Sequence, residues 1–159
     1  MTTPALDTPS TLQDFLHAIP KVEIHCHLLG TVRHTTFRAL AAKAAQRAGE
    51  HDAPAPLTQD EVDVFYARGE KPVGVLKALR ALDAHLLATP DDLYRITYEY
   101  LEDAARHNVR HAEFFWNPTG TARDSNIPYP VALAAIVRAI EDAQADHGIA
   151  GWLIPSIDR

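Results

Sequence analysis

The sequence contains a single cysteine, Cys26, so no disulfide can form within the chain. A chain built without disulfides is typical of a reducing compartment, and we expect a cytoplasmic protein. No apolar run reaches the roughly 20 residues that span a bilayer. The first residues also show no basic leader followed by an apolar segment. We therefore expect no association with a membrane.

Positive charge is scarce and dispersed. The net charge is -6, and the lysines and arginines stand singly along the chain without forming a basic stripe. Nucleic acid is therefore an unexpected partner. The 159 residues are 47% hydrophobic, which is enough for one buried core. Nine histidines make a high count that favours metal or proton chemistry.

Residues 1–18 are predicted to form an N-terminal arm and a short helix that Thr11 caps, and residues 19–159 one domain. The domain begins with a strand over residues 22–27, where β-branched residues alternate with others. Alternation predicts one face carrying Glu23, His25 and His27, and an opposite face carrying Val22, Ile24 and Cys26.

Periodicity and capping signals predict the remaining elements. Helices are expected from Thr35 or Thr36 to Gly49, over 58–66 and 75–88, from a cap at Thr89 to His107, and from Pro130 to Gly148. Leu133, Ile136, Val137 and Ile140 are the predicted buried stripe of the last helix. A loop is expected over 51–56, strands over 109–116 and 149–157, and a turn over 117–120.

This order of strands and helices predicts an α/β protein whose three parallel strands lie side by side in chain order. Three strands are too few to close a barrel of eight, and the chain looks cut at a strand end.

His25 and His27 are the sharpest chemical feature of the sequence. An i, i+2 pair on a strand places both imidazoles on one face, where two ligands can share a metal ion. The pair also lies at the C-terminal end of the first parallel strand, where α/β barrels place their active sites. The alternative is that both rings simply pack or face solvent.

The surrounding residues resemble a known family. The string IPKVEIHCHLLGTV, residues 19–32, is similar to the first-strand signature of adenosine and adenine deaminases, P-K-(V/A)-E-L-H-x-H-L-(D/E)-G. TPDDL at 89–93, YEYLEDA at 98–104 and VRHAE at 109–113 are similar to that family's next helix and strand. The resemblance extends over roughly residues 19–157.

This resemblance implies the N-terminal part of a (β/α)8 TIM-type barrel, with inserted helices, that is incomplete as given. It implies a hydrolase holding one zinc ion, bound by His25, His27, a later histidine and an aspartate. A zinc-activated water would attack C6 of a purine nucleoside or base and release ammonia. His27 and Gly30 would lie near the substrate, although Gly30 is equally explained as a turn residue.

The sequence departs from the family pattern in two respects. Leu29 replaces the acidic residue that contacts ribose in adenosine deaminases, and leucine cannot accept a hydrogen bond from a hydroxyl. Three substrates then stay open: a free base, a differently substituted nucleoside, and a related aminated heterocycle. No segment matches the family's later His-Ala-Gly-Glu strand end, its catalytic histidine or its aspartate pair. We therefore identify no catalytic residue in this chain and expect these residues alone to have little or no activity.

A non-catalytic reading also stands, in which a short product binds metal or a partner and self-associates through the open sheet edge at 151–155. Several other residues are interpreted as structural. We predict that His111 is structural, that Glu23 and Glu113 are paired carboxylates of the barrel interior, and that Cys26 is a small buried residue. Two groups are left open: Phe65 and Tyr66 as lid or core, and Trp116, Asn117 and Pro118 as pocket rim or packed turn.

Overall fold

The computed structural model describes residues 11–47, 57–67 and 80–157. Three parallel strands form one sheet in the order β1, β2, β3, as the sequence predicts. The strands are β1 (Lys21–His27), β2 (Val109–Trp116) and β3 (Ala150–Pro155). The helices are α1 (Leu12–Ala18), α2 (His34–Arg47), α3 (Gln59–Tyr66), α4 (Pro90–Arg106), α5 (Pro118–Asp124) and α6 (Tyr129–His147).

Three of the helices begin at a threonine that completes a capping box. The threonine oxygen accepts a bond from the backbone N–H three residues on, and the acidic side chain there accepts one from the threonine N–H. These pairs are Thr11 with Asp14, Thr58 with Glu61, and Thr89 with Asp92. The predicted starts of α1, α3 and α4 are thereby confirmed. Asn108, at φ 60°, and Gly148, at φ 68°, take the left-handed conformation expected at the ends of α4 and α6.

The predicted cap of α2 is wrong. The helix begins at His34, so Thr35 and Thr36 lie within its first turn. Thr36 is fully buried, and its hydroxyl donates to the Glu99 carboxylate on α4. A hydroxyl with a partner on a neighbouring helix is no longer available to cap its own.

A short helix, α5, replaces the turn predicted over 117–120. The Asn117 side chain accepts from the backbone N–H groups of Thr119 and Gly120, and Pro118 occupies the first helical position. Asparagine followed by proline suits a helix start as well as a turn, so the local signal is ambiguous.

Helices α4 and α6 cover one face of the sheet, which we call the outer face. Ala112, Phe114 and Trp116 of β2 are buried beneath them. The buried side of α6 consists of Ile136 and four alanines (Ala132, Ala135, Ala139 and Ala143), whereas Val137 is 39% exposed. The predicted stripe is therefore displaced toward small residues. They permit close packing, and at Gly151 of β3 an added Cβ would meet Leu101 and Ile140 at 3.2 and 3.3 Å.

Some predicted features lie outside the described residues: the arm over 1–10, the end at Gly49 of the helix that follows β1, the loop over 51–56, and residues 75–79 of the helix predicted over 75–88. From Arg80 the chain is helical, and a single wide turn, Leu82–Leu86, leads to Leu87. Leu82, Leu86 and Leu87 are buried, as predicted. In the described parts of the chain, no helix is long and apolar enough to cross a membrane.

Arg33 joins the segment after β1 to α4. Its guanidinium donates to both oxygens of Asp103 at 2.6 and 2.7 Å, to Glu102 at 2.6 Å and to the Glu99 carbonyl at 3.1 Å. These bonds hold the pKa of the Asp103 carboxyl below its ordinary value of 3.8. A depressed folded-state pKa stabilises the fold above the unfolded pKa, and this contribution disappears as the pH falls through the folded value.

We expect Arg33→Gln to lower the free energy of unfolding by about 1 kcal/mol at pH 7, a modest value because the pair is partly exposed. The difference from wild type should shrink as the pH falls below about 4, because Asp103 becomes protonated first in the unfolded chain and then, through its lowered pKa, in the folded protein. Urea unfolding followed by circular dichroism at pH 7 and pH 3 measures both. Arg106→Gln is the matched control, since Arg106 contacts the same two carboxylates with a side chain 60% exposed. An equal loss in both variants would contradict a special role for Arg33.

Candidate active site

The pairing of β1 with β2 contains a bulge. Glu23 pairs with Ala112 and Cys26 with Phe114, so Ile24 and His25 together stand opposite the single residue Glu113. A two-against-one arrangement of this kind re-aims the side chains that follow it. The bulge lies one residue before His27, the last residue of β1.

The two predicted metal ligands, His25 within the bulge and His27 after it, lie on the face opposite α4, which we call the inner face. The ring centroids of His25 and His27 are 5.8 Å apart, and Phe115 of β2 lies 4.9 Å from the first ring and 5.6 Å from the second. Both histidines are exposed. The structure thus brings the two imidazoles together over one aromatic ring at the C-terminal end of the sheet.

The predicted position of Glu23 is wrong. Its carboxylate accepts a 2.7 Å hydrogen bond from the Tyr100 hydroxyl of α4, and Tyr100 packs edge-on against Phe114 on the outer face. Glu23 therefore shares a face with Cys26, because the bulge breaks the alternation that would have placed it beside His25. It is a hydrogen-bonded carboxylate as expected, but not an interior one. Burial, followed by the Glu23 carboxylate, raises the pKa of the Cys26 thiol.

Because of the same bulge, two apolar residues lie on the face of the sheet opposite to the predicted one. Val22 pairs with His111, an inner-face residue, and is 64% exposed. Ile24, within the bulge, is exposed to a similar degree. Of the three residues predicted for the outer face, only Cys26 packs against the core.

A cavity of about 320 Å³ opens at the C-terminal ends of the strands. Its apolar wall is formed by Leu29, Phe115 and Trp116, and His27 lines it as well. Its polar wall consists of Arg80, Asp83, Asn117, Arg123, Asp124 and Ser156. This volume suits a small planar ring system, since ligand cavities begin at roughly 300 Å³.

Asp83 is the most buried charged residue of the cavity wall, with 7% of its surface exposed. The Thr121 hydroxyl donates to its carboxylate at 3.0 Å, and Trp116 Nε1 donates to that same hydroxyl at 2.9 Å. The Ser125 hydroxyl donates to the Asp83 backbone carbonyl at 2.7 Å. Asp83 was not among the residues predicted from the sequence. Its position in a run of leucines was the available signal, because a lone acid on an apolar helical stripe calls for a partner.

The other charges of the polar wall balance one another. Arg123 donates to both oxygens of Asp124, at 2.7 and 2.8 Å. This bond, aided by the charge of Arg80, holds the pKa of the Asp124 carboxyl below its ordinary value. The four charged residues of the wall carry two positive and two negative charges.

The remaining candidates take structural positions. Gly30 does not line the cavity, and an added Cβ would meet only His27 Cβ, at 3.9 Å. His111 and Glu113 bond to each other at 3.1 Å on the inner face. Phe65 and Tyr66 pack on Phe37 of α2, so core packing accounts for them.

The segment after β2 combines both of its alternatives. Trp116 and Asn117 line the cavity. Trp116 is also buried and stacked on Tyr129, at a centroid distance of 5.8 Å. A packed tryptophan and a helix-capping asparagine therefore form this part of the wall.

The chain was compared with known proteins, and the model of the adenosine deaminase family matches residues 20–159. The chain belongs to the adenosine deaminase family. Among curated members, an adenine deaminase from Ralstonia nicotianae is 38% identical over 136 residues, which cover 85% of this chain and 36% of that protein. An adenine deaminase from Bordetella avium is 32% identical over 155 residues, covering 93% and 44%. The chain thus spans less than half the length of these relatives.

Solved structures of the family agree with the fold. An amidohydrolase from Burkholderia ambifaria, crystallised with bound zinc, superposes with a TM-score of 0.85 at 61% identity, covering 98% of this chain and 40% of that one. An adenine deaminase from Arthrobacter aurescens superposes with a TM-score of 0.68 at 27% identity, covering 88% and 40%. The three strands and their helices are the N-terminal part of a TIM-type barrel deaminase, as predicted.

The spacing of the two histidines is compatible with two ligands of one zinc ion. Zinc–nitrogen bonds are about 2 Å long, so two imidazoles on one tetrahedral ion have ring centres roughly 5 to 6 Å apart. The observed centroid separation of 5.8 Å is within this range. Within residues 11–47, 57–67 and 80–157, no group of three or more histidine, cysteine or acidic side chains is arranged to hold a metal. Any further protein ligands would have to come from elsewhere.

Gly120 offers a test of how tightly the Asp83 carboxylate is held. A Cβ at this position would lie 2.8 Å from Asp83 Oδ2. Alanine normally stabilises a helix by up to about 1 kcal/mol over glycine. Here we expect Gly120→Ala to lower the free energy of unfolding instead, by about 1–2 kcal/mol, because of overpacking.

The matched control is the same substitution in an Asp83→Ala background, where the collision is gone and the helix preference should return. Urea unfolding of the four proteins completes the double-mutant cycle. An identical effect of the alanine in both backgrounds would show that the carboxylate is free to move aside.

Proposed function

We propose that this chain supplies two zinc ligands and part of the substrate pocket for the hydrolytic deamination of an aminopurine. The observation that carries the proposal is the pairing of His25 and His27 at the C-terminal end of β1, with His27 forming part of a cavity wall. Two further facts support it: the relatives are named adenine deaminases, and the Burkholderia ambifaria structure contains zinc.

Bound zinc would supply a water whose pKa is near 7, able to attack the electron-poor C6 of the purine, from which ammonia leaves. The chain's own residues bind and orient. His25 and His27 offer ring nitrogens as ligands, while Phe115 beneath them limits the tilt of both rings. Leu29, Phe115 and Trp116 exclude water from one side of the cavity, which strengthens polar interactions on the other.

The proposed substrate is a free base, adenine, in preference to adenosine. Leu29 is buried and forms part of the apolar wall, so it cannot bind a ribose hydroxyl. The balanced charges of the polar wall also suit an uncharged substrate better than a nucleotide. The curated relatives described above carry the same substrate in their names.

The 159 residues alone are proposed to be inactive. Two imidazoles leave half of a tetrahedral zinc site without protein ligands, and no general acid has been identified in the chain. The activity is therefore proposed for a protein in which these residues are joined by the further zinc ligands and the general acid. The assays below refer to that protein.

We expect His25→Ala and His27→Ala each to reduce bound zinc at least tenfold, because removing one ligand disrupts the coordination geometry. Zinc per chain is measured by inductively coupled plasma mass spectrometry after dialysis. Ammonia release from adenine should fall in parallel. His107→Ala is the control, since His107 is an exposed residue at the end of α4 whose Nδ1 bonds the Asp103 carbonyl. Full zinc content in both ligand variants would refute the metal assignment.

A substrate panel tests the base preference. We expect kcat/KM for adenine to exceed that for adenosine and deoxyadenosine by at least about a hundredfold. The reason is that the sugar hydroxyls would be buried beside the apolar Leu29 without a hydrogen-bond partner. Ammonia release is followed in a coupled assay at saturating zinc. Equal rates on adenine and adenosine would contradict the assignment of a free base while leaving the deaminase assignment intact. No ammonia from any aminopurine would overturn the proposed function.

A further inference from the structure

The bulge in β1 leaves one of the two proposed zinc ligands without the support of the strand ladder. His25 lies within the bulge, where two residues stand opposite the single residue Glu113. The ladder is disrupted at a bulge, so the direction of a side chain there depends on other contacts. We propose that Tyr100 of α4 is a positioning residue, whose hydroxyl holds the bulge in place and thereby orients His25 and His27 toward a shared zinc ion. This inference rests on the proposed function, because it assumes that the two histidines bind zinc.

Tyr100 contacts the strand at the edge of the bulge. Its hydroxyl donates to the Glu23 carboxylate at 2.7 Å, and Glu23 is the last paired residue before the bulge. Cys26, the first paired residue after it, packs against the buried core. Burial, followed by the charge of Glu23, raises the pKa of the Cys26 thiol, so these two side chains lie close together. Contacts on the outer face therefore hold both ends of the bulge.

Tyr100 is itself firmly placed. Only 6% of its surface is exposed, and its ring packs edge-on against Phe114 at a centroid distance of 5.4 Å. The Arg33 guanidinium donates to the backbone carbonyl of Glu99, the preceding residue of α4. Burial, followed by the bond to Glu23, raises the pKa of the Tyr100 hydroxyl. The hydroxyl therefore keeps its proton and remains a donor to the carboxylate.

The same tyrosine is connected to the histidines through β2. Phe114, against which its ring packs, is followed by Phe115, which pairs with His27. Phe115 also contacts both imidazoles, at centroid distances of 4.9 and 5.6 Å. The tyrosine thus supports β1 just before the bulge and β2 beside the residue that lies beneath both rings. Support from residues that do not touch the metal fixes ligand geometry, and its loss commonly weakens metal binding.

Tyr100→Phe tests the role of the hydroxyl, because it keeps the aromatic ring. The protein that carries the further zinc ligands is loaded with Co²⁺, whose visible absorption bands respond to the geometry of its ligands. We expect Tyr100→Phe to change the position and intensity of these bands. We also expect it to raise the zinc dissociation constant about tenfold, measured by competition with a chelating indicator.

Tyr94→Phe is the matched control. The Tyr94 hydroxyl also projects from α4 and donates to a carboxylate, that of Asp142 on α6, at 2.8 Å. Its removal should leave the cobalt bands and the zinc dissociation constant as in wild type. A loss of stability in Tyr100→Phe with unchanged cobalt bands would identify a purely structural role and overturn the inference.

Two substitutions at Glu23 test the bond from its other end. Glu23→Leu removes the acceptor and should reproduce the cobalt bands and the zinc affinity of Tyr100→Phe. The amide oxygen of Glu23→Gln still accepts, so this variant should retain the wild-type values. Glu23→Leu combined with Tyr100→Phe should cause no further loss, because both substitutions remove the same bond.

The outcomes separate this inference from the proposed function. Wild-type cobalt bands in both Tyr100→Phe and Glu23→Leu would overturn the role of Tyr100 and leave the proposed function intact. Equal effects of Glu23→Leu and Glu23→Gln would overturn the hydrogen bond as the cause. A wild-type protein that binds neither cobalt nor zinc would overturn both the inference and the proposed function.

Discussion

The bulge between Glu23 and Cys26 determines what each face of the sheet can do. Without it, strict alternation would place the Glu23 carboxylate beside the two histidines. With it, Glu23 bonds Tyr100 beneath the helices, and His25 and His27 face the other way. A nearby anion would bind a cation but would also compete with a water for the open coordination positions of an ion there. The bulge thus keeps the Glu23 carboxylate away from the two histidines that we propose as zinc ligands.

The cavity depends on contacts between segments that are distant in the chain. Asp83 precedes α4, whereas Thr121 and Ser125 follow β2, and their hydrogen bonds join the two segments across 38 and 42 residues. Arg33 makes a comparable connection between the segment after β1 and the last turns of α4, some 70 residues on. Polar side chains thereby fix the segments that connect the strands and helices, while apolar packing holds the sheet against its helices.

Much of the fold follows from local sequence signals. The three capping boxes, the left-handed Asn108 and the parallel strand order all arise from short patterns with one low-energy outcome. The failures have a shared cause. The face of Glu23, the partner of Thr36 and the burial of Asp83 depend on residues of β2, α4 and α5 respectively, which no local pattern reveals. The family signature indicated the histidines, but only the three-dimensional arrangement shows which other side chains line the cavity beside His27.

The alanine-lined side of α6 has a consequence for sequence variation. At Gly151 an added methyl group would press on Leu101 of α4 and Ile140 of α6 at 3.2 and 3.3 Å, so β3 lies tightly against both helices. Beyond β3 the chain continues to Ser156, whose backbone N–H donates to the Trp116 carbonyl in the cavity wall. A bulkier residue on the buried side of α6 would thus displace the wall from behind. Mutations that alter turnover should therefore arise at positions far from any ligand, and natural variation there should be coupled to variation in the pocket.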